Sequence, residues 1–284
     1  MKIIECPRDA MQGIHQFIPT ELKIAYINQL LKVGFDTIDF GSFVSPKAIP
    51  QMRDTAEVLK GLELTSSSSS LLAIIANKRG AEDAICFDEI TYLGFPFSIS
   101  ETFQQRNTNS GIAESLLRVE EIQQLCLAKN KKLVVYISMA FGNPYGDSYS
   151  PQIAIDWCAQ LVEMGIKTLA LSDTIGASDT QNVSALFSKV IAAFPEVEIG
   201  AHLHSRRDNS LGKIKAAFDN NCRRFDVAIH GFGGCPMAKD ELTGNLATED
   251  LLAFLDSHSV SHQLNTVELL TAYEKSWEIF NQYH

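Results

Sequence analysis

Short apolar runs alternate with amphipathic runs along most of the chain. The apolar runs are rich in aliphatic and β-branched residues, whereas the runs between them repeat their apolar positions every three or four residues, as a half-buried helix does. This alternation is typical of βα units that build a parallel sheet. Eight strands are predicted, over residues 3–6, 37–40, 71–76, 91–95, 133–139, 168–172, 199–204 and 224–228. Eight strands close a (β/α)8 barrel, also called a TIM barrel, which is the predicted fold class.

The helical pattern is clearest in two runs. Residues 20–33 carry an apolar stripe that ends at Gly34, and residues 151–164 repeat this design with a stop at Gly165. Glycine is favoured just after a helix because it adopts the left-handed backbone without steric cost. A glycine-rich stretch, residues 231–244, precedes helices predicted over 248–256 and 266–282. We expect these two helices to pack outside the barrel, within one catalytic domain spanning residues 1–284.

Composition and charge narrow the functional classes. The chain has 284 residues and a formal net charge of −10 at pH 7, which argues against a nucleic-acid partner. No apolar stretch approaches the roughly 18 residues that a membrane span requires. The first residues show no export signal, so a cytoplasmic location is predicted. Arg206 and Arg207 are candidates for a local basic patch that receives an anionic substrate.

The six cysteines are scattered along the chain, with no pair at the two-residue spacing of a zinc site. They are Cys6, Cys86, Cys126, Cys158, Cys222 and Cys235. Free thiols in a reducing compartment are therefore expected. Cys86, Cys126, Cys158 and Cys222 fall in stretches that are predicted to be helical and packed. Cys235 lies in the glycine-rich stretch, so it is the candidate reactive thiol.

The strongest chemical pattern is a pair of histidines at the end of the seventh predicted strand. His202 and His204 are two residues apart, and strand geometry points such positions to the same face of the sheet. Both imidazoles could therefore reach one metal ion at the carboxyl end of the barrel, where functional side chains converge. By itself the pair is equally consistent with one packed and one exposed histidine.

Other polar residues are predicted at the same end of the barrel. Arg8 and Asp9 follow the first strand, Asp39 lies in the second and Asp173 follows the sixth. Asp9 could complete a metal site of nitrogen and oxygen donors, and the other two carboxylates could orient histidines or bind substrate. Alternatively, Arg8 and Asp9 could form a surface pair, and Asp39 and Asp173 could be helix caps.

Several motifs together resemble the 3-hydroxy-3-methylglutaryl-CoA (HMG-CoA) lyase family, metal-dependent barrels related to isopropylmalate synthase, over nearly the whole chain. The motifs are Pro7-Arg8-Asp9 with Gln12, Ser42-Phe43-Val44-Ser45-Pro46-Lys47 with Pro50-Gln51-Met52, Ser172-Asp173-Thr174-Ile175-Gly176, His202-x-His204, Gly233-Gly234-Cys235-Pro236 and Gly244-Asn245-Leu246-Ala247-Thr248-Glu249-Asp250.

This resemblance implies a function and a set of site residues. The chain would be a lyase that cleaves an acyl-CoA, HMG-CoA or a close relative, to acetyl-CoA and acetoacetate, as in leucine degradation. The implied metal ligands are Asp9, His202, His204 and Asn245. Arg8 would stabilise the enolate oxygen, Asp39 and Asp173 would support the site, Cys235 would transfer a proton, and Gln12, Ser42 and Asn77 would bind substrate. A homodimer is also implied.

The implied ligands favour Mg²⁺ or Mn²⁺, because carboxylate, amide and substrate oxygens are hard donors; two histidines keep Zn²⁺ possible. The sequence departs from the family at Asp39, where a glutamate is usual, and over residues 205–209. Three alternatives stay open: a synthase that condenses acetyl-CoA with a 2-oxo acid, a metal-dependent hydrolase, and a catalytically idle barrel that serves as a binding module.

Overall fold

The computed structural model describes residues 1–234 and 243–283. In these residues the chain forms a closed barrel of eight parallel strands in sequential order, so the predicted fold class is confirmed. The strands are β1 (Lys2–Glu5), β2 (Thr37–Ser42), β3 (Ser70–Ile74), β4 (Ile90–Ser98), β5 (Lys132–Ser138), β6 (Thr168–Asp173), β7 (Glu198–Leu203) and β8 (Arg224–Val227). The barrel closes where β8 pairs with β1, from Lys2 opposite Arg224 to Glu5 opposite Val227.

Helices surround this barrel. They are α1 (Pro7–Gln12), α2 (Thr20–Val33), α3 (Thr55–Lys60), α4 (Lys78–Ala84), α5 (Glu101–Thr108), α6 (Ile112–Ala128), α7 (Pro151–Glu163), α8 (Thr180–Ala193), α9 (Ser210–Asp219), α10 (Thr248–Ser257) and α11 (Thr266–Tyr283). Short 3-10 turns lie at Pro50–Met52 and Ile229–Gly231. None of the helices in the described part of the chain is long and apolar enough to cross a membrane.

The core has two layers, because alternate strand residues point to opposite sides of the sheet. The outer layer lies between the strands and helices and includes Leu71, Leu93 and Val135. A smaller inner cluster contains Leu72, Tyr92, Val134, Tyr136 and Ala170. The inner positions of β7 and β8 are not apolar: they include His202, Arg224 and Asp226. The barrel interior is therefore polar on the side of β7 and β8.

Several element boundaries differ from the sequence prediction. Strand β4 continues past Phe95 to Ser98, because Phe97 and Ser98 pair with Ile137 and Ser138 of β5. Helix α2 has the predicted bounds, and Gly34 after it has a φ of 85°. Helices α10 and α11 are also present, and α11 packs on α2, where Gln29 donates a hydrogen bond to the Glu268 carbonyl.

The prediction that four cysteines are helical and packed is wrong for two of them. Cys86 follows the end of α4 and is exposed. Cys222 is buried but lies in the turn between α9 and β8, where its backbone N–H donates to the Ala217 carbonyl. Cys126 and Cys158 are buried within α6 and α7, as expected. A helical period cannot by itself locate the last turn of a helix, which explains both errors.

Candidate metal and substrate site

A cavity of about 190 Å³ opens at the carboxyl ends of the strands. Its walls combine ionisable side chains from α1 and from the end of β7 with apolar ones from β3, β4 and α5. The lining residues that the sequence analysis had selected are Arg8, Asp9, Gln12, Ser42, His202 and His204. Most of the proposed site residues are therefore brought together at one end of the barrel.

His202, His204 and Asp9 form the centre of this cavity. One potential ligand atom from each residue lies within 4.8 Å of those of the other two, close enough to hold one metal ion. The two imidazole centroids are 5.5 Å apart. The Nε2 atom of His204 is buried and has no hydrogen-bond partner in the described structure. A buried nitrogen without a partner is costly, and a bound cation would satisfy it.

Asp9 reaches this position because α1 begins directly after β1, with Pro7 in its first turn. One carboxylate oxygen of Asp9 accepts hydrogen bonds from Arg8 Nη1 and Gln12 Nε2, both at 2.7 Å. The other oxygen accepts one from Asn245 Nδ2 at 2.8 Å. Burial acts to raise the pKa of Asp9, but the charges of Arg8 and His202, together with the hydrogen bond from Asn245, outweigh it and lower that pKa. Asp9 is therefore held as a carboxylate.

Asn245 comes from the segment after β8, far from Asp9 in sequence. The segment pairs with the end of β7: Ser205 N–H donates to the Gly244 carbonyl, and Leu246 N–H donates to the Leu203 carbonyl. His204 and Asn245 consequently lie opposite each other in an antiparallel bridge. This pairing brings the fourth implied ligand next to the other three.

The two histidines have different electrostatic surroundings. Burial opposes protonation of His202, but the hydrogen bond and charge of Asp226, together with Asp9, raise its pKa above the usual value. For His204, burial and the nearby His202 lower the pKa to about 4. His204 is therefore neutral near pH 7, with a lone pair available for a metal ion. Two imidazoles, a carboxylate and a carboxamide fit a divalent cation.

Arg8 and Asp39 form a buried ion pair beside this centre. Arg8 Nε lies 3.0 Å from Asp39 Oδ2, and the Nη2 atom donates to the same oxygen. Burial raises the pKa of Asp39 to about 6 in spite of the charge on Arg8. The pair keeps a guanidinium at the cavity wall, where it can face a developing negative charge.

Asp173 lies behind the cavity wall rather than in it. Its carboxylate accepts hydrogen bonds from Lys213 Nζ at 2.8 Å and from Ser178. Lys213 also donates to the His204 carbonyl at 2.8 Å. Asp173 thus helps to hold the backbone at the end of β7, and its contact with the histidine pair is indirect.

Ser42 is buried, whereas Asn77 is exposed. Ser42 lines both the central cavity and a neighbouring pocket of about 260 Å³. Asn77 lines the neighbouring pocket, and its side chain caps α4 by accepting a hydrogen bond from Gly80 N–H at 2.9 Å.

Arg206 and Arg207, the candidates for a basic patch, are exposed after β7. Cys235 lies outside the described residues.

Sequence reasoning missed Asp226 and Tyr136, which both contact the imidazole of His202. Asp226 Oδ2 lies 3.3 Å from His202 Nδ1, and Tyr136 packs edge-on against the same imidazole, with ring centroids 5.3 Å apart. A signal was available for the first, because Arg224-Phe225-Asp226 alternates charged and apolar residues within a barrel strand. Such alternation places both charges on one face, and the buried faces of a barrel strand rarely carry charge without a role.

This chain is similar to HMG-CoA lyases both in sequence and in structure. The HMGL-like family model matches residues 2–275. The chain is 34% identical over 266 residues to a hydroxymethylglutaryl-CoA lyase of Bacillus subtilis, covering 94% of this chain and 88% of the relative. It is 32% identical to the mitochondrial hydroxymethylglutaryl-CoA lyase of Mus musculus, covering 96% and 83%. The structure of an HMG-CoA lyase from Acinetobacter baumannii in complex with coenzyme A and 3-methylmalate aligns with a TM-score of 0.91 and 29% identity, covering 99% of this chain and 91% of that chain.

Proposed function

The chain belongs to the HMGL-like family of carbon–carbon lyases, and we propose that it cleaves HMG-CoA to acetyl-CoA and acetoacetate. The observation that carries this proposal is the meeting of Asp9, His202 and His204 within 4.8 Å at the carboxyl end of the barrel. The Bacillus subtilis and Mus musculus relatives are hydroxymethylglutaryl-CoA lyases, and the Acinetobacter baumannii structure contains coenzyme A. A condensing synthase and an idle barrel are not favoured by these relatives.

The metal centre would consist of Asp9, His202, His204 and Asn245. We propose Mg²⁺ or Mn²⁺ as the ion, because a carboxylate and a carboxamide are hard oxygen donors. When bound, the ion would act as a Lewis acid that stabilises negative charge on substrate oxygens. The chain itself prepares the site: the neutral His204 offers an unpartnered nitrogen, and Arg8 holds Asp9 ionised.

Arg8 would stabilise the acetyl-CoA enolate that departs when the carbon–carbon bond breaks. Its guanidinium is buried and oriented by Asp39 on one side and by Asp9 and Gln12 on the other. A donor that is already oriented needs no reorganisation when charge develops on the thioester oxygen. By resemblance, Cys235 would deliver the proton that the enolate carbon requires.

The remaining proposed residues would bind the substrate. Gln12 and Ser42 line the central cavity, whose volume of about 190 Å³ suits a small branched acyl group. Asn77 lines the pocket that shares Ser42 with this cavity, so it would contact the substrate beyond the acyl group. Asp173 would support the site through Lys213 and the His204 carbonyl.

We propose a cytoplasmic enzyme that acts as one catalytic domain and as a homodimer, with leucine degradation as its pathway. The bacterial source of the Bacillus subtilis relative supports the cytoplasmic location, and one family match over residues 2–275 supports the single domain. The homodimer and the pathway are what the family resemblance implies.

The direct test is to incubate the purified protein with HMG-CoA and Mg²⁺ and to measure acetyl-CoA and acetoacetate together. Equal amounts of the two products are expected, without release of free coenzyme A. His204→Ala should lose bound metal and activity together, because it removes a buried ligand nitrogen. Coenzyme A released from acetyl-CoA and a 2-oxo acid would instead identify a synthase. Full activity of metal-free His204→Ala protein would contradict the mechanism.

A further inference from the structure

Beneath the candidate metal site, charged side chains of β7 and β8 face the barrel interior. Arg224 lies opposite Gly200, and Asp226 lies opposite His202, in the parallel pairing of these strands. The side chains of Arg224 and Asp226 are 1% and 0% exposed. Burying two charges is costly unless each has partners, and apolar side chains of similar size would often be as stable. A gain in stability therefore does not account for this buried pair.

The carboxylate of Asp226 contacts the imidazole of His202. Asp226 Oδ2 lies 3.3 Å from His202 Nδ1. When Nδ1 carries a proton and donates to this carboxylate, Nε2 is the nitrogen with a free lone pair. The contact also restricts rotation of the ring, which Tyr136 touches with its edge. Metal-binding histidines usually donate their second ring N–H to such a group, which fixes the tautomer and raises ligand basicity.

Arg224 forms an ion pair with Asp226 on the side away from the histidine pair. Arg224 Nε lies 3.8 Å from Asp226 Oδ1, and Nη1 lies 3.5 Å from Glu198 Oε2. Gly200 leaves room for this side chain, because a Cβ atom there would lie 2.8 Å from Arg224 Cδ. Arg224 is thus within ion-pair distance of two carboxylates, without a hydrogen bond to either, and of the two only Asp226 reaches the histidine pair. This arrangement provides an internal comparison between two carboxylates on the same guanidinium.

We propose that Asp226, whose charge is compensated by Arg224, is a positioning residue that orients His202 and fixes its tautomer for metal binding. Asp226 does not line the central cavity, and its effect passes through the imidazole to the metal affinity. The inference rests on the proposed metal site, but it does not depend on which acyl-CoA is cleaved.

The test measures Mn²⁺ binding to the purified protein in the absence of substrate, by titration calorimetry or by the spin signal of free Mn²⁺. Asp226→Asn keeps the shape of the side chain and removes its charge, so Mn²⁺ affinity should fall by about 10- to 100-fold. Glu198→Gln is the matched control, because it removes the other carboxylate beside Arg224 and should bind Mn²⁺ like the unmodified protein. Equal losses in both variants, or no loss in Asp226→Asn, would overturn the inference.

A measurement on the unmodified protein keeps the inference testable if Asp226→Asn does not fold. Nitrogen-15 NMR of histidine-labelled, metal-free protein, at a pH at which His202 is neutral, should show its proton on Nδ1. A proton on Nε2 alone would contradict the inference.

These readouts are separate from catalysis: inactivity on HMG-CoA together with Asp226-dependent Mn²⁺ binding would reject the proposed substrate and keep the positioning role. HMG-CoA cleavage with unchanged Mn²⁺ affinity in Asp226→Asn would do the reverse.

Discussion

At the scale of single residues, Arg8 shows how the shape of a side chain matters as much as its charge. Its Nε and Nη2 atoms face Asp39, while Nη1 donates to Asp9 at 2.7 Å and to Gln12 at 2.9 Å. A planar guanidinium can bridge two carboxylates in this way, whereas the compact ammonium of lysine cannot. Arg8 thereby links the proposed metal ligand Asp9 to the cavity wall.

We predict that Arg8→Lys lowers kcat on HMG-CoA by about 10²- to 10³-fold, the loss typical when one oriented donor to a developing oxyanion is removed. Bound metal should be largely retained, because the four proposed ligands remain. The measurement is the rate of acetyl-CoA formation together with metal content. Arg118→Lys is the control, because Arg118 pairs with Glu114 on a peripheral helix. Unchanged kcat in Arg8→Lys would exclude the assigned role.

At the scale of elements, the segment after β8 determines where Asn245 lies. Asn245 Nδ2 donates to the Phe232 carbonyl at 2.9 Å as well as to Asp9. Gly233, with a φ of 98°, lets the chain pass closely, because a Cβ atom there would lie 2.7 Å from Asn245 Nδ2 and 2.8 Å from the Asp9 carbonyl oxygen. The close passage of this glycine therefore supports two proposed ligands at once.

We predict that Gly233→Ala lowers metal affinity by at least about 10-fold, because the added methyl group must displace Asn245 or the backbone of Asp9. Gly146→Ala is the matched control: Gly146 has a φ of 80°, but nothing lies within 4 Å of the position of the added Cβ. Both variants should lose about 1 kcal/mol or more of stability through backbone strain. Titration with Mn²⁺ distinguishes them, and equal metal affinity in the two variants would disprove the steric argument.

At the scale of the whole molecule, Glu5 connects parts of the chain that are far apart in sequence. It is fully buried at the end of β1, and it accepts hydrogen bonds from Ile229 N–H at 2.8 Å and from Thr248 Oγ1 at 2.7 Å. Its carboxyl group thus joins the first strand to the turn after β8 and to the start of α10. Burial raises the pKa of Glu5 from 4.5 to about 8, despite these two hydrogen bonds.

This raised pKa predicts a pH-dependent stability. Between about pH 4.5 and pH 8 the folded chain binds more protons at Glu5 than the unfolded chain does. The stability that Glu5 contributes by holding this proton is fully present below about pH 4.5, and it is lost as the pH rises through the folded pKa of about 8. The contribution to the free energy of unfolding falls by at most about 1.4 kcal/mol per pH unit. Glu5→Gln should flatten this decline, as measured by denaturant unfolding at several pH values. A decline as steep as that of the unmodified protein would contradict the assignment.

Much of the fold follows from local pattern. The alternation of strand and helix periods predicts the eight βα units, and all eight strands of the described structure overlap the predicted ranges. The helix over residues 20–33 and its glycine stop were also predictable, because backbone conformational preferences are local. The end of β4 was not, because Phe97 and Ser98 belong to the strand only through their pairing with β5.

Some features of the candidate site also follow from the sequence, and others depend on the tertiary structure. Sequence alone placed Asp9, His202 and His204 at the carboxyl end of the barrel, because parity within a strand and the order of elements decide which side chains converge there. Only the tertiary structure decided that Asp226 contacts His202, that Asp173 contacts Lys213 instead, and that Asn77 caps α4. These outcomes depend on distances between residues far apart in the chain, which are set by strand register and packing rather than by any local repeat.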